Sequence, residues 1–154
     1  MSDSKCVNRL RFCNGVLSLA LVGKCNNISC QNKKKLYLNA LTECKKGHCS
    51  ALNEVVGNNN KDVRIYAINN LTPIDEKQMI AQAFRETGSP KFALEVSRSI
   101  SGSINLSDTS SVDILESSLK FQGSILKSMN KINEANFLLS TANHINLLAN
   151  KTRL

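Results

Sequence analysis

The sequence predicts a mainly α protein in which a small cysteine-built N-terminal module precedes a helical hairpin and a long C-terminal helix. Three observations carry that prediction. All six cysteines, Cys6, Cys13, Cys25, Cys30, Cys44 and Cys49, fall in the first third of the 154 residues. Two proline-marked helix starts follow, at Thr72-Pro73 and Ser89-Pro90. A heptad-spaced apolar seam then runs through the last third.

Bulk composition sets the limits. Hydrophobic residues make up 42%, which excludes a wholly disordered chain, while aromatics are 5% and tryptophan is absent, so large rigid core pieces are scarce. The length suits one modest domain or a cross-linked module joined to helices, and it is too short for a large enzyme. The formal charge is +8, and it is unevenly spread. Residues 1–50 hold nine basic side chains (Lys5, Arg9, Arg11, Lys24, Lys33, Lys34, Lys35, Lys45, Lys46) against Asp3 and Glu43, a balance of +7. Residues 51–103 hold six of each sign, and residues 104–154 hold five basic against four acidic. The positive excess and the thiols therefore share one segment.

A polar run, Gly57-Asn58-Asn59-Asn60-Lys61-Asp62, reads as a loop with no means of burying surface and marks a domain edge. A second break lies at Gly102 to Ser111. The expected organisation is a basic, metal-binding Cys-rich module at 1–56, a linker and helical hairpin at 57–103, and a long self-associating helix at 104–154.

Within the first module, Val16–Val22 is apolar and follows basic residues, in outline a short secretory signal. It is far shorter than the roughly 20 residues that span a bilayer. Preceded by Asn14-Gly15, a turn signal, and flanked by cysteine pairs, it reads as a short buried strand or helix turn. No stable membrane insertion is expected.

The spacing Cys25-x4-Cys30-x13-Cys44-x4-Cys49 gives two close thiol pairs joined by a spacer of zinc-module length. Zinc takes four tetrahedral S or N ligands, and two short-range pairs supply them at little loop-closure cost. These four thiols are the preferred zinc ligands, with His48, Cys6 and Cys13 in reserve. The x4 gaps are wider than the usual x2 knuckle. The competing arrangement is three disulfides, which an even cysteine count permits, and four Asn-x-Ser/Thr sequons (at Asn27, Asn70, Asn105 and Asn150) fit a secreted chain.

Lys33, Lys34 and Lys35, with Lys45 and Lys46, are the candidate nucleic-acid contacts, since each phosphate they neutralise releases counterions. Tyr37 and Phe12 are the only local aromatics for stacking on bases, so the binding expected is insensitive to sequence. The two lysine clusters also resemble a two-part nuclear import signal.

Further along, Val63-Arg64-Ile65-Tyr66-Ala67-Ile68 alternates and predicts one short strand. Thr72 as N-cap, Pro73 at the first helical position and Asp75 in the first turn open a helix that Gly88 stops; Ser89-Pro90 opens the next, ending at Gly102. In the C-terminal third, Ile125, Ile132 and Leu139 share one heptad position, and Ser128, Ala135 and Ala142 the position three later. Phe121 and Ile114 extend the seam back and Ala149 extends it forward. That pattern predicts a coiled-coil dimer or a helix folded back on the hairpin. Ser111, Ser118 and Asn146 interrupt it, and Gly123 costs about 1 kcal/mol relative to alanine. Only His48 and His144 offer a near-neutral base. With no nucleophile elbow, phosphate loop or paired carboxylates, catalysis is not expected.

The basic cysteine cluster with Cys25-x4-Cys30, then Asn32-Lys33-Lys34-Lys35, then Cys44-Lys45-Lys46-Gly47-His48-Cys49, ahead of a helical tail, resembles the cysteine-rich proteins encoded by rod-shaped plant RNA viruses. The chain departs from some members in having no Cys-x2-Cys pair. The resemblance implies zinc and RNA binding, suppression of host RNA silencing and support of systemic infection. Small duplex RNA, host silencing proteins and a second copy of the chain are the partners it implies, in the host cytoplasm or nucleus. Thr152-Arg153-Leu154 has the basic-Leu ending of a peroxisomal tripeptide but a Thr where Ser or Ala is usual. Two other functions fit the same residues: a zinc-module adaptor for a protein partner without nucleic acid, and a secreted disulfide-stabilised protein.

Overall fold

A computed structural model describes residues 28–58, 60–104 and 109–152, which form seven α-helices and no strand. These are α1 (Ile28–Lys45), α2 (Ser50–Asn58), α3 (Asn60–Ile68), α4 (Ile74–Glu86), α5 (Pro90–Gly102), α6 (Thr109–Ser128) and α7 (Ile132–Thr152). The protein is mainly α, as its sequence predicts. The cysteines at 6, 13 and 25 lie outside the described residues.

Three helix ends are closed in the same way. Gly47, Gly88 and Asn130, just beyond α1, α4 and α6, hold left-handed backbone with φ of 97°, 83° and 61°. At the first, the His48 amide donates to Glu43 O (3.0 Å) and the Gly47 amide to Cys44 O (3.0 Å). Ser89 and Gly88 donate likewise to Phe84 and Arg85, and Lys131 and Asn130 to Leu126 and Lys127. Each pair of bonds satisfies carbonyls that a helix end leaves orphaned while the left-handed residue turns the chain back.

The Asn130 turn corrects the expectation of one long helix over 104–154. The heptad seam continues across it, but asparagine tolerates left-handed backbone and the chain reverses there. The two helices that result, α6 and α7, pack antiparallel, with Asn146 donating to Glu116 (2.9 Å) at one level and Gly123 facing Leu139 at another. Ala135 and Ala142 of the seam are buried within the chain, whereas Ile132 is exposed. A Cβ on Gly123 would lie 2.8 Å from Leu139 Cγ and 3.3 Å from Ala135 O, so glycine sets how closely the two helices approach.

Three local readings are also corrected. Of the polar run 57–62, read as a loop, Gly57 and Asn58 end α2 and Asn60, Lys61 and Asp62 open α3. Val63–Ile68 is helical, within α3: Val63, Tyr66 and Ala67 bury together at i, i+3 and i+4, a spacing that the alternation had masked. Thr72 does not cap α4. Its hydroxyl is buried and donates to Tyr66 O (2.6 Å) at the end of α3, while the Asn69 side chain accepts from the Leu71 amide (2.8 Å) to form the intervening turn. Pro73, expected as the first helical residue, is instead the N-cap of α4, whereas α5 begins with Pro90 in its first turn, as expected.

One apolar core runs through the bundle. Tyr37, Leu41, Leu52, Val55 and Val56 of α1 and α2 share it with Val63 and Tyr66 of α3, Ile80 and Phe84 of α4, Val96 of α5 and Ile125 and Leu126 of α6. The core therefore continues across the division placed after residue 56. Across its rim, Arg64 on α3 grips Glu95 on α5 through two 2.7 Å hydrogen bonds and lies 5.6 Å from the Phe92 ring centre.

Candidate functional site

The basic segment is organised by α1. Tyr37, Ala40, Leu41 and Cys44, at i, i+3, i+4 and i+7, form its buried stripe and anchor it to the bundle. Lys33, Lys34 and Lys35 lie in its first half, and Lys35 is exposed. Lys45 closes the helix and Lys46 follows it, about 15 Å further along the axis than Lys35. These two are not free charges. Lys45 faces Asp75 of α4 at 3.6 Å and Lys46 faces Glu43 at 3.6 Å, both pairs on the surface. Sequence reasoning missed this pairing because Asp75 is thirty positions away and meets Lys45 only through the packing of α1 against α4.

Tyr37, read as a possible stacking ring for bases, is buried in the core and unavailable for that role. The other candidate ring, Phe12, lies outside the described residues.

The expected zinc set does not assemble as one site. Cys30 and Cys44 sit on the same continuous helix, fourteen positions apart, which is about 21 Å along its axis. Tetrahedral thiolates each bind zinc at about 2.3 Å, so these two cannot share one ion while α1 is intact. The second half of the set has another use. The turn at Gly47 brings Cys49 back to Cys44 (Cα–Cα 4.1 Å), and the two sulfurs form a disulfide. A bridged pair offers no thiolate to a metal. His48, between them, is exposed and its amide serves the helix end. Among the described residues, no group of three or more His, Cys, Asp or Glu side chains is arranged to hold an ion. Cys6, Cys13 and Cys25 lie outside the described residues.

Beside the disulfide lies an open groove of about 470 Å³ lined by Cys44, Cys49, Asn53, Met79, Ala83 and Glu86 among others. It exposes sulfur and methionine, and its one charged lining residue is acidic, so it does not extend the basic surface. Among the described residues no helix is long and apolar enough to cross a membrane.

No family model, curated protein or solved structure matches this chain.

Proposed function

We propose that this chain is an RNA-binding protein that suppresses host RNA silencing, as the cysteine-rich proteins of rod-shaped plant viruses do. The observation that carries the reading is the balance of +7 confined to residues 1–50. Its support in the fold is α1, a helix anchored along one stripe that carries Lys33, Lys34 and Lys35 on a fixed axis. Duplex RNA is recognised largely through shape and phosphates, which needs fixed charge more than base contacts. Small duplex RNA, host silencing proteins and a second copy of the chain are the partners in this reading, in the host cytoplasm or nucleus. The outer face of α7, where Phe137 is 70% exposed and Leu147 and Leu148 are also exposed, is the surface for self-association.

Binding of a small RNA duplex measured across salt concentrations tests the proposal. Affinity is expected to fall linearly in log–log form, by about 0.7–0.9 in slope for each phosphate neutralised. Lys33→Ala, Lys34→Ala and Lys35→Ala together should weaken binding by at least about tenfold and flatten that slope. Lys45→Ala and Lys46→Ala should do less, because those amines already face carboxylates. Salt-independent affinity would sink the phosphate-contact proposal, and no binding at all would leave the protein-adaptor function.

Zinc stays in this proposal as an ion of the thiols that precede the body of α1, Cys6, Cys13, Cys25 and Cys30. Metal analysis of the purified Cys44→Ser/Cys49→Ser variant checks this assignment. Stoichiometric zinc is expected, and a content near zero would end it.

The Cys44–Cys49 bridge favours a second reading, a disulfide-stabilised protein of an oxidising compartment. Thiol titration under denaturing, metal-free conditions separates the two. Four reactive thiols, those of Cys6, Cys13, Cys25 and Cys30, support the zinc reading, and none supports the secreted one.

A further inference from the structure

α4 and α6 both pack on α5, yet their backbones scarcely approach one another. The gap between them is a trough of about 310 Å³. Its walls are Gln78, Ala81 and Gln82 of α4 and Ser117, Ser118 and Phe121 of α6, and Ser97 and Ile100 of α5 form the floor. The volume lies at the lower end of the ~300–1,000 Å³ range of small-molecule sites.

The lining contains no charge and is rich in paired donors and acceptors. Its floor is fixed before any ligand arrives: Gln122 Nε2 donates to Ser97 Oγ (3.3 Å) and Ser101 Oγ (3.2 Å), and Ser97 Oγ donates to Ser118 O (3.2 Å). Ser97 and Gln122 are 1% and 2% exposed. Alanine and leucine would fill the same positions without the cost of desolvating hydroxyl and amide groups, so packing alone does not account for them. At the rim, Gln78 and Ser117 are exposed and make no hydrogen bond among the described residues, while Gln82 Nε2 is held by Glu86 (2.7 Å), which leaves its carbonyl oxygen as an acceptor.

One end of the trough is different. The exposed Arg85 reaches from α4 across to α6, where its guanidinium lies 5.6 Å from the Phe121 ring centre and donates to Ser124 Oγ (2.7 Å). A neutral cavity with an aromatic wall, amide and hydroxyl edges and one cation at its mouth matches a planar heterocycle carrying a phosphate. Bases are recognised in this way, by stacking on a ring and by hydrogen bonds to their edges.

We propose that this trough is a nucleobase site, taking the unpaired base of a nucleotide with its phosphate at Arg85. Its wall includes the Phe121 ring, one face of which carries the Arg85 guanidinium, whereas Tyr37 is buried in the core. The trough is separate from the lysines of α1, so the two proposals can fail independently.

The test is a titration of the full isotope-labelled chain with the four nucleoside 5′-monophosphates, followed by amide NMR. At least one should shift the amides of Gln78, Gln82, Ser97, Ser117 and Ser118, with saturation by about 10 mM, the weak-affinity range of a single small ligand. Inorganic phosphate should leave those amides unmoved. Ser117→Phe adds bulk at an exposed position of the wall and should weaken binding by about tenfold or more with the thermal midpoint unchanged, and Gln78→Ala by about threefold to tenfold, one lost hydrogen bond. The Lys33→Ala/Lys34→Ala/Lys35→Ala chain should bind the nucleotide as tightly as before. The assignment is overturned if none of the four nucleotides moves these amides, if phosphate alone moves them equally, if Ser117→Phe binds undiminished, or if the lysine variant loses the effect.

Discussion

α1 and α7 are both long helices on the outside of the bundle, but they are attached in different ways. α1 buries the large Tyr37 and Leu41 beside the smaller Ala40 and Cys44, and carries lysines at 33, 34, 35 and 45. α7 buries alanines at 135 and 142, lies against Gly123 of α6, and exposes Phe137, Leu147 and Leu148. Tyr37 and Leu41 hold the charged helix, whereas Ala135, Ala142 and Gly123 let a nearly neutral helix lie close to its neighbour. Both helices nevertheless reach one core, through Tyr37 and Leu41 at one end and Ala135 at the other.

The strongest way to break that comparison is to damage what the ends share. Phe84 has no exposed surface, lies edge-on to Phe92 with ring centres 5.5 Å apart, and belongs to the same cluster as Tyr37 and Ile125. Phe84→Ala should cost about 3–5 kcal/mol. Because Tyr37 and Tyr66 are the two tyrosines and both sit in α1–α3, their near-ultraviolet signal reports the charged end, while far-ultraviolet circular dichroism reports all helices. The two melting curves should shift down together and coincide. Separate transitions would mean that the ends are independent units.

Gly123→Ala acts on the contact between α6 and α7. The added methyl carbon would meet Leu139 Cγ at 2.8 Å and Cδ2 at 2.9 Å, and overpacking of this kind costs about 1–3 kcal/mol. Alanine also gains about 1 kcal/mol in helix propensity, so the measured loss should fall toward the lower part of that range. Adding Leu139→Ala opens the space and should make the double variant more stable than the two single effects sum to. Strict additivity in a double-mutant cycle would show that the close approach of α6 and α7 at Gly123 carries no energy.

How much of this was legible in the sequence follows the range of each interaction. Helix starts at Pro73 and Pro90 and the stop at Gly88 are local, and they were readable from three or four residues each. The stop at Asn130 is just as local, but asparagine is a weaker marker of left-handed backbone than glycine, and the heptad spacing that runs on either side of it spoke against it. In the candidate site, the lysines were legible as a cluster because charge needs no fold. The pairing of Lys45 with Asp75 was not, and neither was the separation of Cys30 from Cys44. Cysteine spacing gives chain distance only, and the x13 spacer that could have looped back is instead the body of α1. The trough between α4 and α6 left no mark in the sequence, since Gln78, Ser97 and Ser117 belong to three different helices.

The smallest effect expected comes from two titratable groups on opposite sides of the α3–α4 turn. Lys77 is 2% exposed, with Nζ donating to Ser99 Oγ (2.6 Å), which in turn donates to Ile68 O (3.4 Å). Desolvation of its ammonium holds its pKa below the ordinary 10.5. The unfolded chain then binds this proton more tightly than the folded one. The resulting penalty is fully present below the folded pKa and fades as pH rises toward 10.5. Tyr66 runs the other way: burial first, then its hydrogen bond to Glu76 (2.9 Å), raises its pKa, so its contribution is present below the ordinary 10.0 and is lost as the unfolded phenol ionises above it. Lys77→Met removes the buried amine and keeps the stem that packs among its neighbours. It should raise the midpoint at pH 7 by a gain of about 1 kcal/mol or less, after the lost Ser99 bond is subtracted. Thermal melts from pH 7 to pH 10.5 should show that gain shrinking steadily. A gain that stays constant across the range would mean that Lys77 keeps its charge solvated in the folded chain, and that Ser99 alone does not hold it.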